Sequence, residues 1–323
     1  MGHFRTGFTL LLAFALEACA PWQIATPNQL ASDTVAIASP SPSHTVQPTP
    51  ASSTTPAEEL LFAVIGDFGQ AGDQEQAVAD LVKSWDVDFI LTTGDNNYPD
   101  GAADSIDTNI GQYYHEYIGN YAGEFGEGSE INRFFPTMGN HDWIADGAEP
   151  YLDYFTLPGN ERYYDISWPP VHLFVLDSDP QEPDGVGLSS AQAIWLQLAL
   201  AASSDPWNLV IMHHPAFSSD MHGSSDWMQW PYAQWGADVV LAGHDHVYER
   251  LVVNGLLYLT NGLGGNPARY DFVNILPESQ FRYNAQHGAL RVQATSEWIR
   301  FEFINIHGEV VDQVTLAADD MSQ

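Results

Sequence analysis

Short apolar runs that each break on a polar turn recur through the middle of the chain: Leu61 to Ile65, Phe89 to Thr93, Val171 to Leu176, Leu209 to Met212 and Val239 to Ala242. Continuous apolar runs of this length, bounded by turn residues, predict strands buried on both faces. Between them, Asp73 to Trp85 and Ser189 to Ala202 read as helices, the second opened by a Ser189-x-x-Gln192 capping box. After Gly243 the texture changes to alternating strands: Leu256 to Thr260, Ala289 to Thr295, Trp298 to Ile306 and Val310 to Leu316. Strands with crossover helices followed by hairpin strands predict an α/β (α+β) architecture. Two mixed β-sheets pack face to face with helices on the outside, in a single domain over residues 59–319. No internal repeat is found.

The first 58 residues have a different texture. Arg5 precedes a ten-residue run from Gly7 to Leu16, too short to span a bilayer and suited to an export signal. Leu16-Glu17-Ala18-Cys19 follows. It resembles a bacterial lipoprotein box with Cys19 as the lipidated residue, although Glu17 is unusual there. Ala18-Cys19-Ala20 also fits ordinary signal cleavage, but a lone Cys in that slot favours the lipoprotein. Either route predicts an extracytoplasmic protein, touching the membrane only through a lipid anchor on Cys19 or else secreted. Residues 20–58, with Ser39-Pro40-Ser41-Pro42 and Gln47-Pro48-Thr49-Pro50, have little to pack and read as a disordered, semi-stiff tether.

Charge narrows the partners. The 323-residue chain carries 42 Asp+Glu against 9 Lys+Arg, a formal net charge of −33. With Lys83 its single lysine, it lacks the basic surface that nucleic acid or anionic lipid requires. Such a surface suits a saline or acidic habitat, or serves solubility alone. One cysteine excludes a disulfide framework and a structural zinc–thiolate site. At 45% hydrophobic residues the chain has ample material for a core.

Five segments place polar, metal-competent residues directly after a strand, where open α/β sheets collect their sites. They are Gly66-Asp67-Phe68-Gly69, Gly94-Asp95-Asn96-Asn97-Tyr98, Gly139-Asn140-His141-Asp142, His213-His214-Pro215 and Gly243-His244-Asp245-His246. Singly, each has a plain explanation: an Asp at a strand end is a turn former or cap, and His-x-His is a solvated strand face. Together they supply carboxylates, an amide oxygen, a phenol and at least three imidazoles, enough for two metal ions and hard to explain as packing. Glycine precedes the functional residue in four of the five, which suits a chain turning sharply to present a ligand.

In this order the five blocks resemble the calcineurin-like metallophosphoesterases, and within them the purple acid phosphatases of the tartrate-resistant type. Gly243-His244-Asp245-His246-Val247-Tyr248-Glu249-Arg250 is especially close to that family's last block. The resemblance covers nearly all of residues 60–320 and implies the metallophosphatase sandwich. Most of these phosphoesterases carry Asp-x-His in the first block. Here the slot is Gly69, and Tyr98 stands where a phenolate can replace the missing imidazole. The resemblance therefore implies Fe(III) held by Asp67, Asp95, Tyr98 and His246. A divalent Fe, Zn or Mn ion is implied at Asp95, Asn140, His213 and His244. A phenolate with carboxylates is a hard set that suits a trivalent ion.

The same resemblance implies phosphomonoester hydrolysis by a metal-bridging hydroxide on a small phosphate-ester substrate bound at Asn140, His141 and His222. An acid optimum follows from the trivalent ion. The leaving alkoxide needs a proton. His141 is the first donor, with Asp142 orienting it or raising its pKa. His222, nine residues after His213, is the second, at a spacing similar to the active-site histidine of the mammalian enzymes. His214 is at best a support for the ligands, Arg250 a structural ion-pair partner within its block and not a substrate clamp, and His115, His172, His287 and His307 lie outside any motif. The acidic stretch from Ala102 to Glu130 either overhangs the site or is a solvated loop. A phosphodiesterase or nucleotidase on the same scaffold, or a tethered phosphate- or metal-binding lipoprotein without turnover, are the alternatives. Oligomeric state is not readable from the chain.

Overall fold

The computed structural model describes residues 59–318. The export signal, Cys19 and the tether lie outside the described residues, as does residue 319. Thirteen strands form two sheets: β1 (Leu60–Ile65), β2 (Phe89–Thr92), β3 (Phe134–Phe135), β4 (Tyr164–Trp168), β5 (Val171–Val175), β6 (Trp207–Ile211), β7 (Val239–Ala242), β8 (Tyr248–Val253), β9 (Leu256–Asn261), β10 (Ser279–Tyr283), β11 (Gly288–Ala294), β12 (Trp298–Asn305) and β13 (Val310–Ala317). One sheet runs β13-β12-β11-β1-β2-β3, the other β10-β8-β9-β7-β6-β5-β4. Both are mixed: β1, β2 and β3 are parallel, as are β5, β6, β7 and β9, while the remaining pairings are antiparallel.

The continuous apolar runs have the predicted cause. Alternate side chains of a strand point to opposite faces, and here both faces are covered. Val171, Leu173, Val175, Trp207, Leu209, Ile211, Val239 and Leu241 enter the core between the sheets. Phe174, Val210, Met212 and Val240 face outward, beneath Leu196 and Leu200 of the helix Ala191–Ala202. The helix Asp73–Lys83 buries Val78, Ala79 and Val82. Among the described residues no helix is long and apolar enough to cross a membrane.

The sheets are tied by specific contacts as well as by apolar area. The Tyr248 ring of one stacks on Phe303 of the other at 4.4 Å. Trp207 Nε1 donates to the Thr295 carbonyl at 2.7 Å. Arg250 in β8 reaches Asp312 in β13 through Nε at 2.7 Å and Nη2 at 3.1 Å, and Tyr248 donates its hydroxyl to the same carboxylate at 3.0 Å.

Two local readings change. The second long helix is capped by Ser190, whose side chain accepts from the Ala193 amide, so the Ser189-x-x-Gln192 box does not form. Gln192 is buried and spends its amide on Asp177: Oε1 accepts the Asp177 N–H and Nε2 donates to its carbonyl, both at 2.8 Å. The strands β4, β8 and β10 carry no continuous apolar run. The hairpin joining β8 to β9 turns on Asn254-Gly255, which take φ 51° and 87° as a two-residue hairpin turn requires, a signal that the sequence reading passed over.

Asp312→Ala is expected to destabilise the fold by about 2 kcal/mol, because it strands a half-buried guanidinium and a buried phenol. A fall in thermal midpoint with unchanged metal content checks this; an unchanged midpoint would show that the sheets are held by apolar contact alone.

Candidate metal centre

Strand register brings the five loops together. Ile65 pairs with Thr92, and the Asp67 N–H donates to the Gly94 carbonyl at 3.0 Å. Ile211 pairs with Leu241, and the Gly243 N–H donates to the His213 carbonyl, also at 3.0 Å. Each sheet thus delivers its strand ends level with one another. Asp67, Asp95 and His244 adopt left-handed backbone conformations, with φ of 55°, 52° and 67°. Non-glycine residues adopt this region at a cost, and such outliers cluster at functional sites. The turn therefore falls on the ligand residues themselves. The preceding glycines mainly leave room: a Cβ on Gly139 would lie 2.2 Å from Asp95 Oδ1.

Two groups of donors share Asp95. Around the Tyr98 hydroxyl stand Asp95 Oδ2 at 2.9 Å, His246 Nε2 at 3.1 Å and Asp67 Oδ1 at 3.2 Å. Around Asn140 Oδ1 stand His244 Nδ1 at 3.0 Å and His213 Nε2 at 3.1 Å, and His213 Nε2 lies 3.4 Å from Asp95 Oδ1. The other Asp67 oxygen accepts the His244 backbone N–H at 2.8 Å. Gly69 admits no imidazole, since its Cβ would lie 1.7 Å from the Asn96 carbonyl oxygen. The phenol of Tyr98, 7% exposed, stands in the cluster instead.

The protons show what the cluster lacks. His213 Nδ1 faces the Thr93 carbonyl at 2.8 Å and His246 Nδ1 the Ala268 carbonyl at 3.0 Å. A carbonyl only accepts, so each Nδ1 carries a proton and each Nε2 turns inward. There it meets carboxylate, amide, phenol and imidazole atoms that are themselves electron-rich. Such a gathering suits a cation, and without one it must be held by shared protons. Burial opposes charge on His213, yet Asp95 pushes it up to about 10, while Asp95, despite its burial, is held below the usual carboxylate range by His213. Burial and the charges of Asp95 and Asp67 raise the Tyr98 phenol, so with protons alone it stays neutral. Ligand atoms about 2.0–2.2 Å from one ion sit roughly 3 Å from each other, which matches these separations. The donor set fits metal ions, which Asp67, Asp95, Tyr98 and His246 would hold on one side and Asp95, Asn140, His213 and His244 on the other. Asp67, Asp95 and His213 offer ligand atoms within 4.8 Å of one another, as do His213, His214 and His244.

The remaining expected residues divide. His141 stacks on the Tyr98 ring at 4.4 Å, hydrogen-bonds through Nδ1 to the Pro99 carbonyl, and holds Nε2 4.0 Å from Asp95 Oδ2. His222 lies 4.8 Å, ring to ring, from His244. His214 packs 4.5 Å from His244 and bonds Ser178 Oγ at 2.9 Å. Burial and the nearby His213 charge lower it to about 3, so it stays neutral. Asp142 is a correction. Its carboxylate accepts N–H groups of Asn96 and Gly139 and the Asn96 side-chain amide, so it braces the ligand loops, and the partner of His141 is Pro99. Burial and the Asp95 charge push Asp142 up to about 7. Arg250 is a structural ion-pair partner, but of Asp312 in β13 and not of a residue within its own block. In the acidic stretch, Asp107 gathers Tyr121, Tyr154 and the Glu124 amide, while Asn109 donates to the Tyr98 carbonyl, so this segment props the ligand loop.

Sequence reasoning missed Tyr270, whose ring stacks on His246 at 4.3 Å, and it passed over Asp245 and Asp220, both fully buried beside His222. Burial and the Asp245 charge push Asp220 up to about 7. Tyr270 has no motif to announce it. Asp245 sat inside the last block, unassigned.

A two-sheet sandwich that gathers these oxygen and nitrogen donors at its strand ends is the framework of a metal-dependent phosphatase. Residues 60–248 match the model of the calcineurin-like phosphoesterase family, and the chain belongs to that family. It is 25% identical over 288 residues to purple acid phosphatase 17 of Arabidopsis thaliana, covering 78% of this chain and 82% of that protein. It is 26% identical over 248 residues to tartrate-resistant acid phosphatase type 5 of Rattus norvegicus, covering 65% and 74%. Among solved structures, purple acid phosphatase PPD1 from yellow lupin seeds matches with a TM-score of 0.65 at 16% identity, over 81% of this chain and 54% of that one. GAP50, the anchor in the inner membrane complex of Plasmodium, matches at 0.63 and 18%, over 80% and 89%. At these identities the structural matches speak for the fold alone.

Elemental analysis of purified variants tests the sharing of Asp95. Asp95→Asn is expected to lose ions from both positions, whereas Asn140→Ala loses them from one; equal losses in the two variants would refute the bridge.

Proposed function

We propose that this protein is an extracytoplasmic phosphomonoesterase that releases phosphate from small organic esters at a dinuclear centre with an acidic optimum. The observation that carries the reading is the pair of donor groups joined through the two oxygens of Asp95. The hard set of Asp67, Asp95, Tyr98 and His246 suits Fe(III), and the mixed set of Asp95, Asn140, His213 and His244 suits a divalent Fe, Zn or Mn ion. When bound, the two cations would neutralise the ester oxygens and acidify a water.

The chain's own residues supply the rest. Described basic side chains are engaged elsewhere: Lys83 with Glu116, Arg162 with Glu182 and Asp184, Arg291 with Glu302, Arg269 with backbone carbonyls. Substrate charge therefore meets imidazoles and ions rather than an arginine clamp. His141, fixed by the Pro99 carbonyl, keeps Nε2 free beside the centre. His222, on the other side of His244, is raised by its hydrogen bond to Asp245 and so retains a proton at acid pH. These two are the donors to the leaving alkoxide. Neither is needed by a protein that merely binds metal or phosphate. Export through the N-terminal segment, with Cys19 as anchor and residues 20–58 as tether, completes the reading.

His141→Ala is expected to lower kcat about a hundredfold on an alkyl phosphate with metal content intact; little loss would remove it as a proton donor. Comparing mono- and diester forms of one chromogenic phenol separates this reading from a diesterase, since the proposal requires the monoester to be the faster. The purified enzyme should absorb visible light and lose that band in Tyr98→Phe, and its rate should peak at acid pH. A colourless protein, or a peak above about pH 8, counts against the ferric site.

A further inference from the structure

Asp245 stands between two of the proposed ligands, His244 and His246, and its carboxylate lies beside His222 and His244, the three offering ligand-type atoms within 4.8 Å of one another. It is fully buried. An Asp that merely forms a turn uses its carboxylate on backbone N–H groups nearby. Here the turn is closed by main-chain bonds instead: Asp245 N–H to the Gly243 carbonyl at 2.7 Å and Val247 N–H to the Asp245 carbonyl at 2.6 Å. The carboxylate is left to His222, with Oδ1 3.3 Å from Nδ1, while the buried Oδ2 has no other donor than the neighbouring Asp220 carboxyl.

The loop carrying His222 is built onto the same spot. Asp220, also fully buried, accepts the His222 backbone N–H on Oδ1 at 3.0 Å and takes the Ser218 hydroxyl oxygen on its own N–H, also at 3.0 Å. Its second oxygen meets no donor from any other group, and the Asp220 and Asp245 carboxyls lie within hydrogen-bond reach of each other. The imidazole is then bounded by His244 at 4.8 Å and Tyr270 at 5.0 Å between ring centres. With Nδ1 committed to the buried carboxylate, the opposite ring edge, Nε2, is the free one. His222 retains 38% of its side-chain exposure.

We propose that Asp245 is a positioning residue that fixes the ring orientation and tautomer of His222 so that Nε2 faces the leaving group, with Asp220 anchoring the loop beneath it. Nδ1–H donates to Asp245 Oδ1, and the proton that passes to the departing alkoxide leaves from Nε2. This rests on the reading of His222 as a proton donor.

The test is a double-mutant cycle on the metal-loaded enzyme, with one alkyl phosphate, whose leaving group needs a proton, and p-nitrophenyl phosphate, whose leaving group does not. His222→Ala should cost about a hundredfold in kcat on the alkyl ester and far less on the aryl ester. Asp245→Asn should cost about tenfold with the same selectivity, with KM and metal content near those of the parent. In the His222→Ala background Asp245→Asn should add nothing, because its effect passes through the imidazole. Equal losses in both backgrounds, or loss of metal in Asp245→Asn, would overturn the inference and make Asp245 a support of the ligands. A His222→Ala enzyme that loses both esters equally would instead sink the proton-donor reading, and this one with it. Asp220→Asn, which adjoins no ligand, should show a smaller loss of the same selectivity; an unchanged alkyl-ester rate would refute its part.

Discussion

Asp95 is the constraint around which the molecule is arranged. At 2% exposure its two oxygens face different groups, Oδ1 the His141 N–H and His213 and Oδ2 the Tyr98 hydroxyl, and a buried anion is tolerated only where such donors or positive charge are supplied. The backbone of both sheets serves that arrangement. Three of the gathered residues hold left-handed backbone, a strain of about 1 kcal/mol or more each. Carbonyls of Thr93 and Ala268 turn the inner nitrogens of two histidines toward the centre. Little of this geometry would be worth maintaining for packing alone.

The rest of the electrostatics follows the same division. A chain of net charge −33 repels phosphate esters, yet among the described residues the few arginines serve structure, as Arg250 does at Asp312 between the sheets. In the proposed reading, attraction for substrate would be concentrated in one place, at the bound cations and the imidazoles beside them. That concentration makes the orientation of His141 and His222 matter. One is clamped by a main-chain carbonyl, the other by a buried carboxylate, and each leaves one ring nitrogen free at the edge of the centre.

Much of this was legible along the chain because continuous apolar runs have few solutions. A strand buried on both faces must end in a turn, and Asp67, Asp95, His213 and His244 stand at such ends. The second long helix shows the limit. Ser189 and Gln192 satisfy a local pattern, but Gln192 finds a better bond to Asp177, twelve or more residues away. Asp142 failed as a partner of His141 for a similar reason: the N–H groups of Asn96 and Gly139 outcompete a neighbour in sequence.

By itself the sequence determined the two-sheet architecture, the five loops and the kinds of atoms they offer, since these depend on periodicity and residue type. Only the tertiary structure decided which oxygen of Asp95 faces which group, that the Asn96 backbone fills the space beside Gly69, and that Asp245 and Tyr270 attend the histidines. Those are distances between residues far apart along the chain. They are set by strand register and by competition for hydrogen bonds, neither of which a local pattern contains.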